Sequence, residues 1–504
     1  MSTDLTSAHA EAELQTVARF LARRAAPETS RRVMTRDEAL ALVATVRRFM
    51  SRPVGHVGLL HHCTAVTRIV NNRQVFCDDE DRLLLRFDTQ IGDCHPVELG
   101  TSVRDLDTLQ RAIHAIRMAP MPAPNSVPQE DADSSEAKVF WGAKPYLPVT
   151  LWHDSTVHAI DDARGATLER MLTQVRDTPF MTAATVALSA QAQLQWYGLG
   201  RCAWGEATDS EITMTARTVD GKASGWSGQT HRDWTKLDPD RVVREALTMA
   251  EQSRNPVRVE PGRYTAILGP AAVGQLVAEM LGLWDADRTD SGGTPFSQLN
   301  ALDGHRSKLY QRVMDSRLTI ETNPADPDGG DYPFFIQDGF PSGATTLVKD
   351  GVLHELAYHI GYAFQRGKTP RKPPFAIRMS GGTTPIADMI ANCERGIYVN
   401  RLSSIQIQDY PSGAMTGVTR DGCFLIQNGK LAHPATNFRF YESPVIVFNK
   451  ILALGVPQRV AFGTHSGIHA EYDGWAITQW PLGPVIVPPV MVRDFNFSAL
   501  SDAV

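Results

Sequence analysis

The sharpest chemical pattern in the sequence is His354-Glu355-Leu356-Ala357-Tyr358-His359, an HExxxH segment. Two imidazoles converging at about 2 Å hold zinc, and a glutamate beside them can activate a zinc-bound water. The spacing works against that chemistry. In a regular α-helix residues five apart lie roughly 140° apart around the axis, whereas a four-residue separation keeps them within about 40°. Only a distorted helix would close such a site. The segment follows Asp350-Gly351, a tight-turn dipeptide preceded by the β-prone run Thr345–Lys349, so the simplest expectation is a hairpin return strand running into a helix. Alternation along a strand would send His354 to one face and His359 to the other. No catalytic or metal-binding residue is therefore assigned, and His354, Glu355 and His359 stand as the alternative set.

Other constellations are weaker. His61-His62-Cys63 offers ligand atoms, but adjacent residues seldom share one ligand sphere, and solvent-facing or core-lining roles explain them more simply. Gly463-Thr464-His465-Ser466-Gly467 has the form of a glycine-framed cavity loop, with a tight turn at a strand end as the plainer reading. Gly292-Gly293 and Gly381-Gly382 fit neither phosphate-loop pattern, and the Ser-Xaa-Gly triplets lack a nucleophile elbow.

The elements that would position these residues fall into two textures. Thr35-Arg36-Asp37-Glu38 is a capping box, followed by Ala39, Leu42, Val43, Val46 and Met50 at helical spacing. Runs 64–70 and 83–87 read as strands joined through a polar turn at Asn71-Asn72-Arg73, and helical patterns follow at 105–118 and 159–175. Residues 183–225 are strand-rich with a hairpin turn at Asp220-Gly221, and Asp238-Pro239 opens a helix as cap and first residue. Residues 119–136 are rich in Pro, Ala, Ser, Asp and Glu and bury too little apolar surface to offset ordering, so an exposed loop is expected there. The better domain boundary is Arg254-Asn255-Pro256. Beyond it, short apolar runs punctuated by Gly and Pro, with turn signals at Asp350-Gly351, Asp421-Gly422 and Asn428-Gly429, predict a large, mostly antiparallel sheet structure. The fold class is α+β: an N-terminal α/β domain over 1–255 and a sheet-rich C-terminal domain over 256–504.

Composition narrows the function. A chain of 504 residues exceeds what one core usually serves, and 42% hydrophobic with 21% charged residues is ordinary for a globular protein. A net charge of −6 supplies no field that would gather nucleic acid or an anionic membrane. No stretch reaches the roughly 18 apolar residues of a spanning helix, and residues 1–26 lack the order of a secretory signal. Six scattered cysteines without a CxxC pair point to reduced thiols and a cytoplasmic location.

Several C-terminal blocks together resemble the TldD/TldE (PmbA) metallopeptidase family. They are 257–270 (VRVEPGRYTAILGP), 338–341 (DGFP), 346–353 (TLVKDGVL), 395–399 (RGIYV) and 423–434 (CFLIQNGKLAHP), in the family's order and spacing, followed by a helix-like stretch at 449–454. The resemblance covers most of 257–492 and reaches the N-terminal half only in its pattern of helices and strands. It implies a dimer of two similar subunits around an enclosed cavity, in which the TldD-like subunit carries HExxxH on a kinked helix after the opening strand and a later cysteine as third ligand. The matching stretch here, 271–283, contains GQLVAEML at 274–281 and no histidine. His465 falls at or near the third-ligand position, and a lone imidazole cannot hold zinc. The resemblance therefore implies a TldE-like, non-catalytic subunit without a cofactor of its own, paired with a TldD-like subunit that brings zinc to short or unfolded peptides. Two rivals remain at this point: a self-sufficient zinc peptidase using His354, Glu355 and His359, and a non-enzymatic peptide-binding module.

Overall fold

The computed structural model describes residues 2–25, 33–49, 54–91, 94–103, 105–118, 151–161, 163–197, 201–301, 304–330, 341, 343–371, 374, 376–462 and 483–502. The loop expected at 119–136 and the cavity loop with His465 lie outside the described residues.

The chain opens with helices α1 (Ser2–Ala25) and α2 (Arg36–Phe49), the second starting at the capping box. Thr35 donates its backbone N–H to Glu38 Oε2 at 2.8 Å, and Glu38 returns its own N–H to Thr35 Oγ1 at 3.3 Å. Strands β1 (Val54–Val70), β2 (Arg73–Ile91) and β3 (Cys94–Ser102) follow, then α3 (Leu106–Met118), α4 (Asp154–Asp161) and α5 (Ala163–Val175). The two-residue turn at Asn71 and Asn72 holds both at positive φ, the geometry a tight hairpin demands and asparagine tolerates. Strands β4 (Phe180–Tyr197), β5 (Arg201–Thr218) and β6 (Ser224–His231) complete a six-stranded antiparallel sheet in the order β3-β2-β1-β4-β5-β6. Helix α6 (Pro239–Gln252) then packs on β6, with Asp238 capping Arg241 N–H as the sequence predicted.

Strict alternation along β4 gives this sheet two unlike faces. Ala184, Val186, Leu188, Ala190, Ala192 and Leu194 meet the helices in the first apolar core. The opposite face carries Thr185, Ser189, Gln191, Gln193 and Gln195, and the last four are buried as well. A buried polar face is costly unless it is satisfied or serves a ligand.

A second apolar core begins at Val259, the first having reached Ala250. Here β7 (Gly262–Leu268) leads into helix α7 (Pro270–Glu279) and a 3-10 turn, Met280–Leu283. β7 sits between the strands Arg395–Asp409 and Val490–Leu500. The latter pairs with Phe438–Glu442, which pairs with Ala414–Gln427, which pairs back onto Arg395–Asp409. Five strands thus close into a ring around Phe438, Phe440, Phe495 and Phe497, all fully buried. A second six-stranded sheet runs from Val352–Leu353 to Gln458–Arg459. Among the described residues, the strand pairings of these two sheets are antiparallel except two, β7 with Arg395–Asp409 and Ile377–Met379 with Val485–Val487.

One turn expectation is corrected. Asp350-Gly351 and Asn428-Gly429 turn the chain as predicted, but Asp421-Gly422 lies inside the strand Ala414–Gln427. Its positive φ values, +55° and +123°, accommodate a bulge opposite Asn400, where the register with the neighbouring strand shifts. Dipeptide chemistry reports positive φ; whether the chain reverses or bulges there is decided by pairing partners far away in sequence.

Candidate functional site

The helix after the opening strand is the first place to test for metal chemistry. On α7, Ala272, Val273, Leu276 and Val277 face the core, and Gly274 lies against Val460, whose side chain would meet an added Cβ at 3.0 Å. Gln275 accepts the backbone N–H of Leu402 at 2.8 Å. The remaining polar side chain, Glu279, is mostly buried, and that burial pushes its carboxyl up to about 7. No imidazole or thiol is present on this helix to ligate zinc.

The HExxxH residues do not gather either. The return strand ends at Leu353, so His354 lies just past it, its ring edge-on to Tyr310 with centroids 6.0 Å apart. Glu355 pairs with Arg371 at 3.0 Å. His359 is the N-cap of the helix Ile360–Gln365 and accepts the Tyr362 N–H on Nδ1 at 3.2 Å, while its Nε2 lies 3.8 Å from Asp287. Each side chain has its own local task, so the segment does not fit a zinc site. The expected hairpin followed by a helix is present, with a strand shorter than the alternation argument assumed.

Among the described residues, the group with ligand atoms close together is His61, Cys63 and Asp81. His61 and Cys63 sit two apart on β1 and so share a face, a relation their adjacency in sequence disguised. Met34 donates its backbone N–H to His61 Nδ1 at 2.8 Å, which leaves Nε2 to carry the proton of the neutral ring. That nitrogen is 3.0 Å from Asp81 Oδ1 and 3.6 Å from Cys63 Sγ. Burial lowers the His61 pKa and keeps the ring neutral. Burial also opposes charge on Asp81, but hydrogen bonds and charge from His61 and Arg24 outweigh it and hold that carboxyl at about 2. With both ring nitrogens engaged, the trio is a satisfied buried pair with a thiol beside it, and it does not fit a metal.

An opening lies where the first sheet and α6 meet strands of the second core. A crevice of about 1010 Å³ runs along the edge strand β6, between α6 and the strand Gln458–Arg459. Helix α6 approaches β6 closely because residue 225 is glycine; a Cβ there would stand 2.3 Å from the Ala250 nitrogen. Arg459 crosses the crevice wall to Asp209 on β5 at 3.2 Å and also donates to the carbonyl of Asp328. Phe462 donates its N–H to Glu211 at 3.1 Å, so residues 459–462 lie across the polar face of the first sheet. His231, lining the crevice, accepts the Asp233 N–H on Nδ1 at 2.8 Å; burial first, and Arg459 second, lower its pKa. Lys236, Arg241, Arg244 and Arg459 face Asp238 and Glu245 around the opening. The arrangement supplies hydrogen bonds and charge for binding. Sequence reasoning missed it, although the Ala-Gln-Ala-Gln-Leu-Gln alternation on β4 was a readable signal of a second, polar face.

A helix-layered antiparallel sheet joined through a polar crevice to a closed strand ring defines a two-core α+β protein. Residues 261–499, a little under half of the chain, match the PmbA/TldA metallopeptidase C-terminal domain, so this half carries that family's domain. Three solved structures share the fold at 14% identity. One, described as a candidate modulator of DNA gyrase from Thermotoga maritima, has a TM-score of 0.69 and covers 91% of this chain and 98% of its own. A similarly described protein from Bacteroides thetaiotaomicron has a TM-score of 0.70, with 92% and 100% covered. TldE from Thermococcus kodakarensis has a TM-score of 0.70, with 91% and 99% covered. No curated protein sequence matches the chain. Among the described residues no helix is long and apolar enough to cross a membrane.

Proposed function

We propose that this chain is the TldE-like, non-catalytic subunit of a heterodimeric zinc peptidase that acts on short or unfolded peptides in the cytoplasm. The observation that carries the reading is α7. It is an intact helix in the position after β7, tied to the scaffold through Gln275 and Leu402, and it bears neither imidazole nor thiol. A bound zinc lowers the pKa of its water to about 7 and polarises the scissile carbonyl, and that chemistry is assigned to the TldD-like partner. This chain contributes polar surface and crevice that hold and orient an extended peptide. The self-sufficient zinc enzyme finds no support in His354, Glu355 and His359, each of which has a separate local partner.

The test is a four-way reconstitution with an unfolded peptide. Cleavage is measured with either subunit alone, with both, and with both after His354→Ala and His359→Ala in this chain. We expect turnover only when both subunits are present, nearly unchanged by the two substitutions. Cleavage by this chain alone, or its loss on replacing the two histidines, would overturn the assignment.

A further inference from the structure

A second, smaller cavity of about 300 Å³ lies where the polar face of the first sheet meets the Asp421 bulge. Its floor follows from strand register. Arg68 on β1, Thr185 on β4 and Thr213 on β5 stand directly opposite one another, and Thr215 and Trp226 pair in the neighbouring row of the same face. Its roof is Arg401, Arg420 and Asp421 from the strand ring. The Arg401 guanidinium lies over the Trp226 ring at 4.8 Å and donates through Nη1 to Asp421 Oδ2 at 3.3 Å. Two polar atoms remain without a partner: Arg401 Nε and Asp421 Oδ1. Asp421 is 99% buried, and its backbone adopts positive φ to place the carboxylate there. Leaving such groups unmet costs more than an apolar replacement would, so the pairing that is missing must come from something that enters.

The two orphan atoms specify what enters. Arg401 Nε requires an acceptor, and Asp421 Oδ1 requires a donor. Arg68, Arg401 and Arg420 line the cavity with Asp421 and set cationic side chains around whatever enters. We propose that this cavity binds a carboxylate with an N–H donor on the adjacent carbon, the chemistry of an α-amino acid or of a peptide C-terminus. The carboxylate accepts from Arg401 Nε and lies among the arginines, while the N–H donates to Asp421 Oδ1. The threonine floor offers hydroxyls that both donate and accept, and the volume admits a small residue.

The experiment is calorimetric titration of the full-length chain with alanine, N-acetylalanine, alaninamide and acetate, which keeps it independent of any partner subunit. We expect binding of a carboxylate that carries N–H, none of alaninamide, and acetate weaker by about tenfold or more, the usual loss when a hydrogen bond to a charged group goes unmade. Alanine tighter than N-acetylalanine identifies a free amino acid as the ligand. The reverse order, together with binding of a tripeptide that is lost on C-terminal amidation, identifies a peptide end. Arg401→Gln should weaken binding at least about tenfold, and the more exposed Arg420→Gln tests the same charge should the first variant not fold. Acetate binding as tightly as N-acetylalanine, no binding by any carboxylate, or indifference to both substitutions would overturn the proposal and leave a cavity that holds water.

Discussion

Glu279 offers a direct test of how α7 is buried. Its carboxyl has no hydrogen-bond or ion-pair partner among the described residues, and burial raises its pKa from 4.5 to about 7. The C-terminal end of a helix, where the backbone dipole is negative, acts in the same direction. Between pH 4.5 and 7 the folded chain therefore holds a proton that the unfolded chain has released. The contribution to stability is fully present below pH 4.5 and is lost as pH rises through 7. The interval corresponds to about 3 kcal/mol. Glu279→Gln keeps the shape and removes the charge, so the variant should match the wild type at pH 4 and exceed it by up to about 3 kcal/mol at pH 8. Urea unfolding followed by tryptophan fluorescence reads this out, since Trp284 is fully buried in the same core and stacks on Phe296 at 4.5 Å. Equal stability of the two proteins at both pH values would show that Glu279 ionises in water, and the burial argument would fail.

Further outcomes are expected elsewhere. Purified alone, the chain should hold no stoichiometric zinc by elemental analysis; one ion per chain that disappears in His354→Ala would refute the geometric reading of 354–359. Gly351→Ala should destabilise by more than about 1 kcal/mol in chemical denaturation, because the residue sits at φ +76° and its Cβ would come 2.3 Å from the Met314 carbonyl oxygen. Gly225→Ala should loosen α6 from β6, seen as faster hydrogen exchange across 239–252; unchanged protection would contradict the contact. Acid should weaken the first core, because both His61 and Asp81 have pKa values depressed on folding, so stability is lost as pH falls below 6.5 and again towards 2. His61→Gln should flatten the upper part of that profile, and an unaltered slope would count against the buried neutral ring.

Local chemistry was legible where it is decided locally. The capping box at Thr35, the Asp238-Pro239 start of α6 and the hairpins at Asp350-Gly351 and Asn428-Gly429 each depend on residues a few positions apart. The bulge at Asp421 was not legible, because it depends on a partner strand and on Asn400 across it. The same holds for the candidate sites. His61 and Cys63 looked like an unlikely ligand pair as neighbours, and only the strand placed both on one face against Asp81 from β2. Arg68 and Arg401 lie hundreds of residues apart and line one cavity because the first sheet's polar face is covered by strands of the second core. The α1 helix was also overlooked, since its long mixed-charge segment carries a weak apolar stripe and is held by Val17, Phe20 and Leu21.

The closed ring of strands has a consequence for how the chain is made. Its first member in chain order, Gly262–Leu268, cannot acquire both neighbours until Val490–Leu500 has been synthesised, and that strand bridges it to Phe438–Glu442. A nascent chain emerging from the ribosome can assemble the helix-layered first sheet early, from a core that runs from Val17 to Ala250. The ring must wait for the last of its strands, with β7 and α7 held open through the translation of more than two hundred further codons. During that interval the apolar faces of β7 and α7 lack their partners, so this half of the molecule is the natural client for a chaperone that holds the chain until Val490–Leu500 arrives.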